Sequence, residues 1–192
     1  MARKVGGRTT SSVDPRVVRT RNDILRTTLQ VLMDEGWDAV THQHIAQVAG
    51  YSKATVYNHW RSRADLIRDA FLRLRDMPHH VPTGDLRTDL IQEVTTFRTG
   101  MDERPLARAL CVLVNLTDAA PELDEVRDRL VTDGERLVRE LLAPVLHGTE
   151  LEAATLMLCG AVLHSAMMHG EPPGDDVIAS AVDLTLRAIG RN

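Results

Sequence analysis

Apolar residues in the first third of the chain recur three and four positions apart. Val18, Ile24, Leu25, Leu29, Leu32 and Met33 fall on one helical stripe. Asp14 before Pro15 offers an N-cap followed by a first-turn proline, and Gly36 stands where a helix would end, so one long helix is predicted between them. Thr41 then opens a short helix with an inward face of Ile45, Val48 and Ala49, closed by Gly50. Ser52 opens another over about 53–60, where Val56 and Trp60 share one side and polar groups occupy the rest. Ser62, with Asp65 three residues later, resembles a capping box for a fourth helix through roughly Arg75. Beyond Pro78 the spacing predicts helices near 85–103, 105–119, 121–146, 150–169 and 174–189, divided by Pro, Gly and Asp. Neither strand alternation nor a repeat interrupts them. The expected fold class is all-α, with about nine helices: an N-terminal three-helix domain over 14–62, a helical domain over 63–192, and an arm at 1–13.

Charge sharpens this division. The net charge is −4, yet residues 1–63 hold ten Lys/Arg against five Asp/Glu, and the remainder thirteen against twenty-two. Five of the six aromatics (Trp37, Tyr51, Tyr57, Trp60 and Phe71) also precede residue 72. A basic head on an acidic body can neutralise phosphates locally while the body is repelled from nucleic acid. The arm, rich in Gly, Ser, Thr and Arg, has two readings: a solvated tail, or arginines that enter a minor groove. No apolar run follows its charges, and Cys111 and Cys159 form no C-x-x-C, so a cytoplasmic protein is expected. Ala153 to Gly170 contains no Lys, Arg, Asp or Glu. Its length, its two glycines, and Thr155, His164, Ser165 and His169 favour a core helix that also meets a second subunit over a membrane span.

Two short helices separated by Gly50-Tyr51-Ser52 make a helix-turn-helix, whose second helix would enter the major groove. The identities within Val40 to Leu66 resemble the DNA-binding signature of the TetR family. They include a threonine opening the second helix, Ile45-Ala46 and Ala49-Gly50 within it, and a small-residue start to the third. Tyr57-x-His59-aromatic and Ser62-basic-x-x-Leu66 follow, and Ile24-Leu25 through Gly36-Trp37 resembles the family's first helix. Three positions depart from the pattern: Tyr51 replaces a small aliphatic residue, Trp60 a phenylalanine and Arg63 a lysine. The bulky Tyr51 is expected to face DNA or a neighbour.

The resemblance implies that Thr41, Tyr57, His59 and Arg63 hold phosphates, as hydroxyl, imidazole and guanidinium groups do. It places His42, Gln43, Ser52, Lys53, Ala54, Thr55 and Asn58 at the starts of the two helices that face DNA. Gln43 or Asn58 suits adenine, Lys53 guanine, and Ala54 or Thr55 a thymine methyl. Other readings stay open: Thr41 and Ser52 as helix caps, Tyr57 as a core ring, and Lys53 and Asn58 as a solvated face.

The region from Leu86 to about Ile189 resembles the C-terminal domain of one TetR branch in its Arg-x-Asp-Leu opening, Pro105-Leu-Ala-Arg-Ala-Leu and Pro121-Glu-Leu. That implies a homodimer through the helices near 150–169 and 174–189, and an effector cavity among the middle helices. Phe97, Met101, Leu110, Val114, Met157 and His164 are candidate lining residues, suited to a small apolar or amphiphilic effector, with plain core as the alternative. His164 with His169, or His79 with His80, lacks a further acidic or thiol ligand at helical spacing, so no metal and no cofactor is expected. The chain has no phosphate loop, nucleophile elbow or H-E-x-x-H, and is not expected to be an enzyme. The function implied is a repressor that binds palindromic double-stranded operator DNA and is released by the effector. A ligand-independent DNA-binding regulator and a helical hydrolase are the alternatives.

Overall fold

The computed structural model describes residues 14–74, 78–103, 106–116 and 121–190. The arm at 1–13, Arg75, Pro105 and the end of the predicted 105–119 helix lie outside them. Among the described residues there are nine α-helices and no strand. They are α1 (Pro15–Glu35), α2 (His42–Ala49), α3 (Lys53–His59), α4 (Arg63–Leu72), α5 (Leu86–Glu103), α6 (Leu106–Leu116), α7 (Asp124–Leu142), α8 (Gly148–His164) and α9 (Asp175–Ile189).

Local chemistry sets the boundaries of the head. Asp14 accepts from the Arg16 backbone N–H, Pro15 takes the first turn, and Gly36 ends α1 at φ 87°. Thr41, Ser52 and Ser62 each cap a helix by accepting from the N–H three residues on, at 3.0–3.1 Å. Gly50 closes α2 in the left-handed region at φ 75°, where a side chain would be strained. Ile24, Leu25, Ile45, Val56, Leu66, Ile67 and Phe71 are buried together and fasten α1 to α4 into one head. Two expected inward residues face solvent instead: Val18 lies before the buried stripe starts at Ile24, and Val48 sits on the outer side of α2.

In the body, α5 packs against α6, α7, α8 and α9, and α4 reaches α7. Arg87 clasps Asp183 at 2.6 and 3.0 Å, and Arg98 joins Asp175 at 2.6 Å, tying α5 to α9. Two predicted helices divide. A 3-10 turn at Pro121–Leu123 precedes α7. The 150–169 stretch leaves α8 for a π-turn at Ser165–His169, stopped by left-handed Gly170. Gly148–His169 is long and apolar enough to cross a membrane, yet only 28 % of its most apolar window is buried within the chain.

The segment before α5 is pinned by two buried carboxylates. Glu93 accepts from His79 Nδ1 at 2.7 Å and from the His80 backbone N–H at 2.8 Å. Asp89 meets His80 Nε2 at 3.0 Å and accepts from the backbone N–H of Thr83 and of Gly84 and from the Thr83 hydroxyl. The acidic partners that sequence spacing did not supply to His79 and His80 therefore come from α5. They act as hydrogen-bond acceptors, and no group of three or more His, Cys, Asp or Glu suited to a metal occurs among the described residues.

Candidate nucleic-acid interface

Helix α3 has seven residues, too few to persist alone in water. Its inner side holds it in place: Val56 is fully buried and Trp60 is 3 % exposed. The Trp60 indole N–H donates to Asp69 Oδ2 at 2.9 Å, and Arg21 meets the same carboxylate from α1 at 2.5 Å while its guanidinium lies 5.6 Å from the indole. The His42 ring bonds the Trp60 carbonyl oxygen at 2.7 Å through Nε2. One tryptophan thus joins α1, α2, α3 and α4.

The outer side is polar. Gln43, Lys53, Ala54, Tyr57, Asn58 and His59 are exposed, and Thr55 is half-buried. Thr41 and Ser52 are exposed caps, and the Ser52 Oγ lies 2.9 Å from Thr55 Oγ1 as well as accepting from its N–H. His42 is turned inward, with its ring edge-on to Tyr57 at 5.6 Å. Arg63 stacks over Trp37 at 4.3 Å and lies 3.8 Å from Asp38. Arg61, which sequence reasoning passed over, stacks on the Tyr57 ring at 4.9 Å and adds an exposed cation at the end of α3. Its only sequence signal is a basic residue directly after Trp60.

Of the two expectations for Tyr51, the structure shows it facing a neighbour: its ring packs on the core and its hydroxyl donates to Asp23 Oδ2 of α1 at 3.1 Å. With the His44 to Glu35 contact at 2.9 Å, this fixes the turn and α2 against α1.

Comparison with known proteins bears on this geometry. Residues 24–70 match the profile of bacterial regulatory proteins of the tetR family, and residues 81–185 match a tetracyclin repressor-like C-terminal domain. The chain belongs to the TetR family. It is a transcriptional regulator with a DNA-binding helix-turn-helix, and its family and relatives are regulators, not enzymes. An HTH-type transcriptional regulator of Mycobacterium tuberculosis is 28 % identical over 170 residues, spanning 84 % of this chain and 83 % of that protein. The DNA-binding transcriptional repressor TetR of Mycobacteroides abscessus is 37 % identical over 78 residues, or 39 % of this chain and 40 % of that one. The crystal structure of the TetR-family regulator SCO0332 superposes with a TM-score of 0.58 at 26 % identity, covering 87 % of this chain and 97 % of that chain. A flavonoid-responsive regulator, FrrA, shares the fold at a TM-score of 0.71 and 18 % identity, covering 90 % and 95 %.

In the TetR body a small cavity of about 40 Å³ joins part of the expected effector set. Phe97, Met101 and Leu110 line it, together with Cys159 and Leu163. Val114, Met157 and His164 lie elsewhere: Val114 and Met157 are 54 % and 61 % exposed, and the His164 ring stands edge-on to His169 at 5.4 Å. Ser165 donates to the Glu171 carbonyl oxygen.

Proposed function

We propose that this regulator is a homodimeric repressor, working in the cytoplasm, that binds a palindromic operator and is released by a small effector. The observation that carries the DNA contact is α3 itself, a short helix with a buried anchor and an exposed polar side. In this reading Lys53, Asn58 and Gln43 read base edges while Tyr57, His59, Arg61 and Arg63 hold phosphates. The test is a gel-shift titration on the promoter beside its own gene. Lys53→Ala is expected to weaken specific binding by roughly 1–3 kcal/mol with less loss on random DNA, whereas Arg63→Ala weakens both alike and lowers the salt slope. Unchanged titrations for both variants overturn the contact assignment.

Pairing follows from the need to place two reading helices about 34 Å apart on the duplex. The outer sides of α8 and α9 support it. Leu156, Met157 and Leu184 are more than half exposed, and a groove of about 320 Å³ runs between the two helices. A second copy covering this face would also account for the uncovered apolar length of α8. Leu184→Glu is expected to yield monomers by light scattering after size exclusion, with helix content retained because that residue is 58 % exposed.

Effector release is supported by how the cavity walls reach α1. Leu74 lines the cavity, and its neighbour Arg73 donates to the Asn22 carbonyl oxygen at 2.7 Å. Leu106 and Leu110 line it from α6, and Arg108 between them donates to the Met33 carbonyl oxygen at 2.9 Å and pairs with Asp34 at 3.0 Å. An occupant that displaced either wall would pull on the helix carrying the reading head, and differential affinity would shift the population. A second reading, a regulator that answers to no small molecule, is favoured by the small volume of the cavity.

A further inference from the structure

The irregular turn after α8 brings two histidines together. His164 closes the α-helix, and His169, five residues on, closes the π-turn. In an unbroken α-helix, residues five apart point about 140° away from each other around the axis. The i→i+5 bonding of a π-turn returns them to one side, and the two imidazole centroids lie 5.4 Å apart at an interplanar angle of 65°. Both histidines are exposed, and neither makes a hydrogen bond or ion pair with another described residue. Their ring nitrogens are therefore available to a ligand. Met168, four residues after His164 and next to His169, is 71 % exposed, at a spacing that flanks the same side of the turn. The turn itself is fixed: left-handed Gly170 stops it, and the Ser165 hydroxyl donates across it to the Glu171 carbonyl oxygen at 2.9 Å.

We propose that His164 and His169, with the Met168 thioether, form a binding site for a soft monovalent metal ion, Cu(I). The ring separation suits such an ion. With about 2 Å from the ion to one nitrogen of each ring, the ion lies about 3.2 Å from each centroid, and a coordination angle of about 110° sets the centroids about 5.3 Å apart. Among the described residues no third His, Cys, Asp or Glu joins the pair, which leaves a tetrahedral divalent ion such as Zn(II) short of ligands. Cu(I) asks for less: two or three ligands satisfy it, and soft thioether and imidazole groups select it. Neither histidine lines the body cavity, so this site is distinct from the one read there for the effector. The π-turn packs against α6, the helix whose Arg108 reaches the Met33 carbonyl oxygen of α1.

The test is anaerobic titration of the full chain with Cu(I) in competition with bicinchoninate, a coloured cuprous chelator. One ion per chain is expected. His164→Ala and His169→Ala are each expected to lower the affinity roughly tenfold or more, and Met168→Leu by a smaller factor. All three side chains are exposed, so helix content by far-UV circular dichroism is expected to stay that of the parent chain. Zn(II), titrated alongside, is expected to bind more weakly than Cu(I). Cys111 is a half-buried free thiol and a rival ligand for Cu(I), so the titration is repeated in Cys111→Ser, where the affinity is expected to hold. No uptake of Cu(I), an affinity unchanged in both histidine variants, or binding lost in Cys111→Ser overturns the site. Zn(II) held as tightly as Cu(I) overturns the choice of a soft ion.

Discussion

Trp60→Ala is expected to lose operator binding entirely and to lower the unfolding free energy by about 3–5 kcal/mol, as large buried aromatics do when truncated. The size of the effect comes from position. The indole fills the junction of α1, α3 and α4, its N–H satisfies Asp69, and its backbone carbonyl holds His42. Without it, seven residues of α3 lose their anchor and the polar side is no longer presented. Trp60→Phe separates packing from hydrogen bonding. It keeps most of the ring and costs about 1 kcal/mol, because Asp69 retains Arg21. Urea unfolding together with gel shift checks both. A Trp60→Ala protein that binds its promoter normally would remove the anchor from the account of DNA contact.

Glu93→Ala carries the second large effect, about 3 kcal/mol of lost stability, since it leaves His79 and the His80 backbone N–H without their buried acceptor. The neighbouring Asp89 adds a pH signature. The Thr83 backbone N–H, then the Thr83 hydroxyl, the His80 ring and the Gly84 N–H, hold its carboxyl far below the usual range against the opposing pull of burial. Because the folded group gives up its proton more readily than the unfolded one, whose pKa is about 3.9, its contribution is complete above that value. It fades as pH falls toward the lowered folded value. Urea midpoints measured from pH 7 down to about 3 are expected to drop on the acid side, and Asp89→Asn to flatten that drop while lowering the midpoint at pH 7. An acid limb unaltered in Asp89→Asn would assign the acid sensitivity to other carboxylates.

Much of the head was legible because its signals are local. Asp14-Pro15, Thr41, Gly50, Ser52 and Ser62 each act within three residues, and the structure uses each as the spacing implied. Long-range chemistry was not legible. Nothing near Tyr51 announces that its partner is Asp23, 28 residues earlier, nor near His79 that Glu93 waits a helix away. Periodicity also overreached at Val18 and Val48, where apolar residues continue a pattern past the surface they pack on. The π-turn after α8 depends on how a helix end meets its neighbours, and no residue type in Ser165–His169 encodes it. In the effector set, Phe97, Met101 and Leu110 converge on one cavity, but Val114 and Met157 turn away, because composition identifies an adaptable wall and not the direction in which it points.

The bond from Tyr51 to Asp23, with its companion from His44 to Glu35, decides how this protein can be cut and rejoined. A chimera that transplants only residues 41–60 onto another regulator's scaffold would arrive with a tyrosine and a histidine seeking acceptors left behind on the donor's opening helix. A working graft has to begin upstream of Asp23, so the exchangeable module is the first helix and the reading pair together.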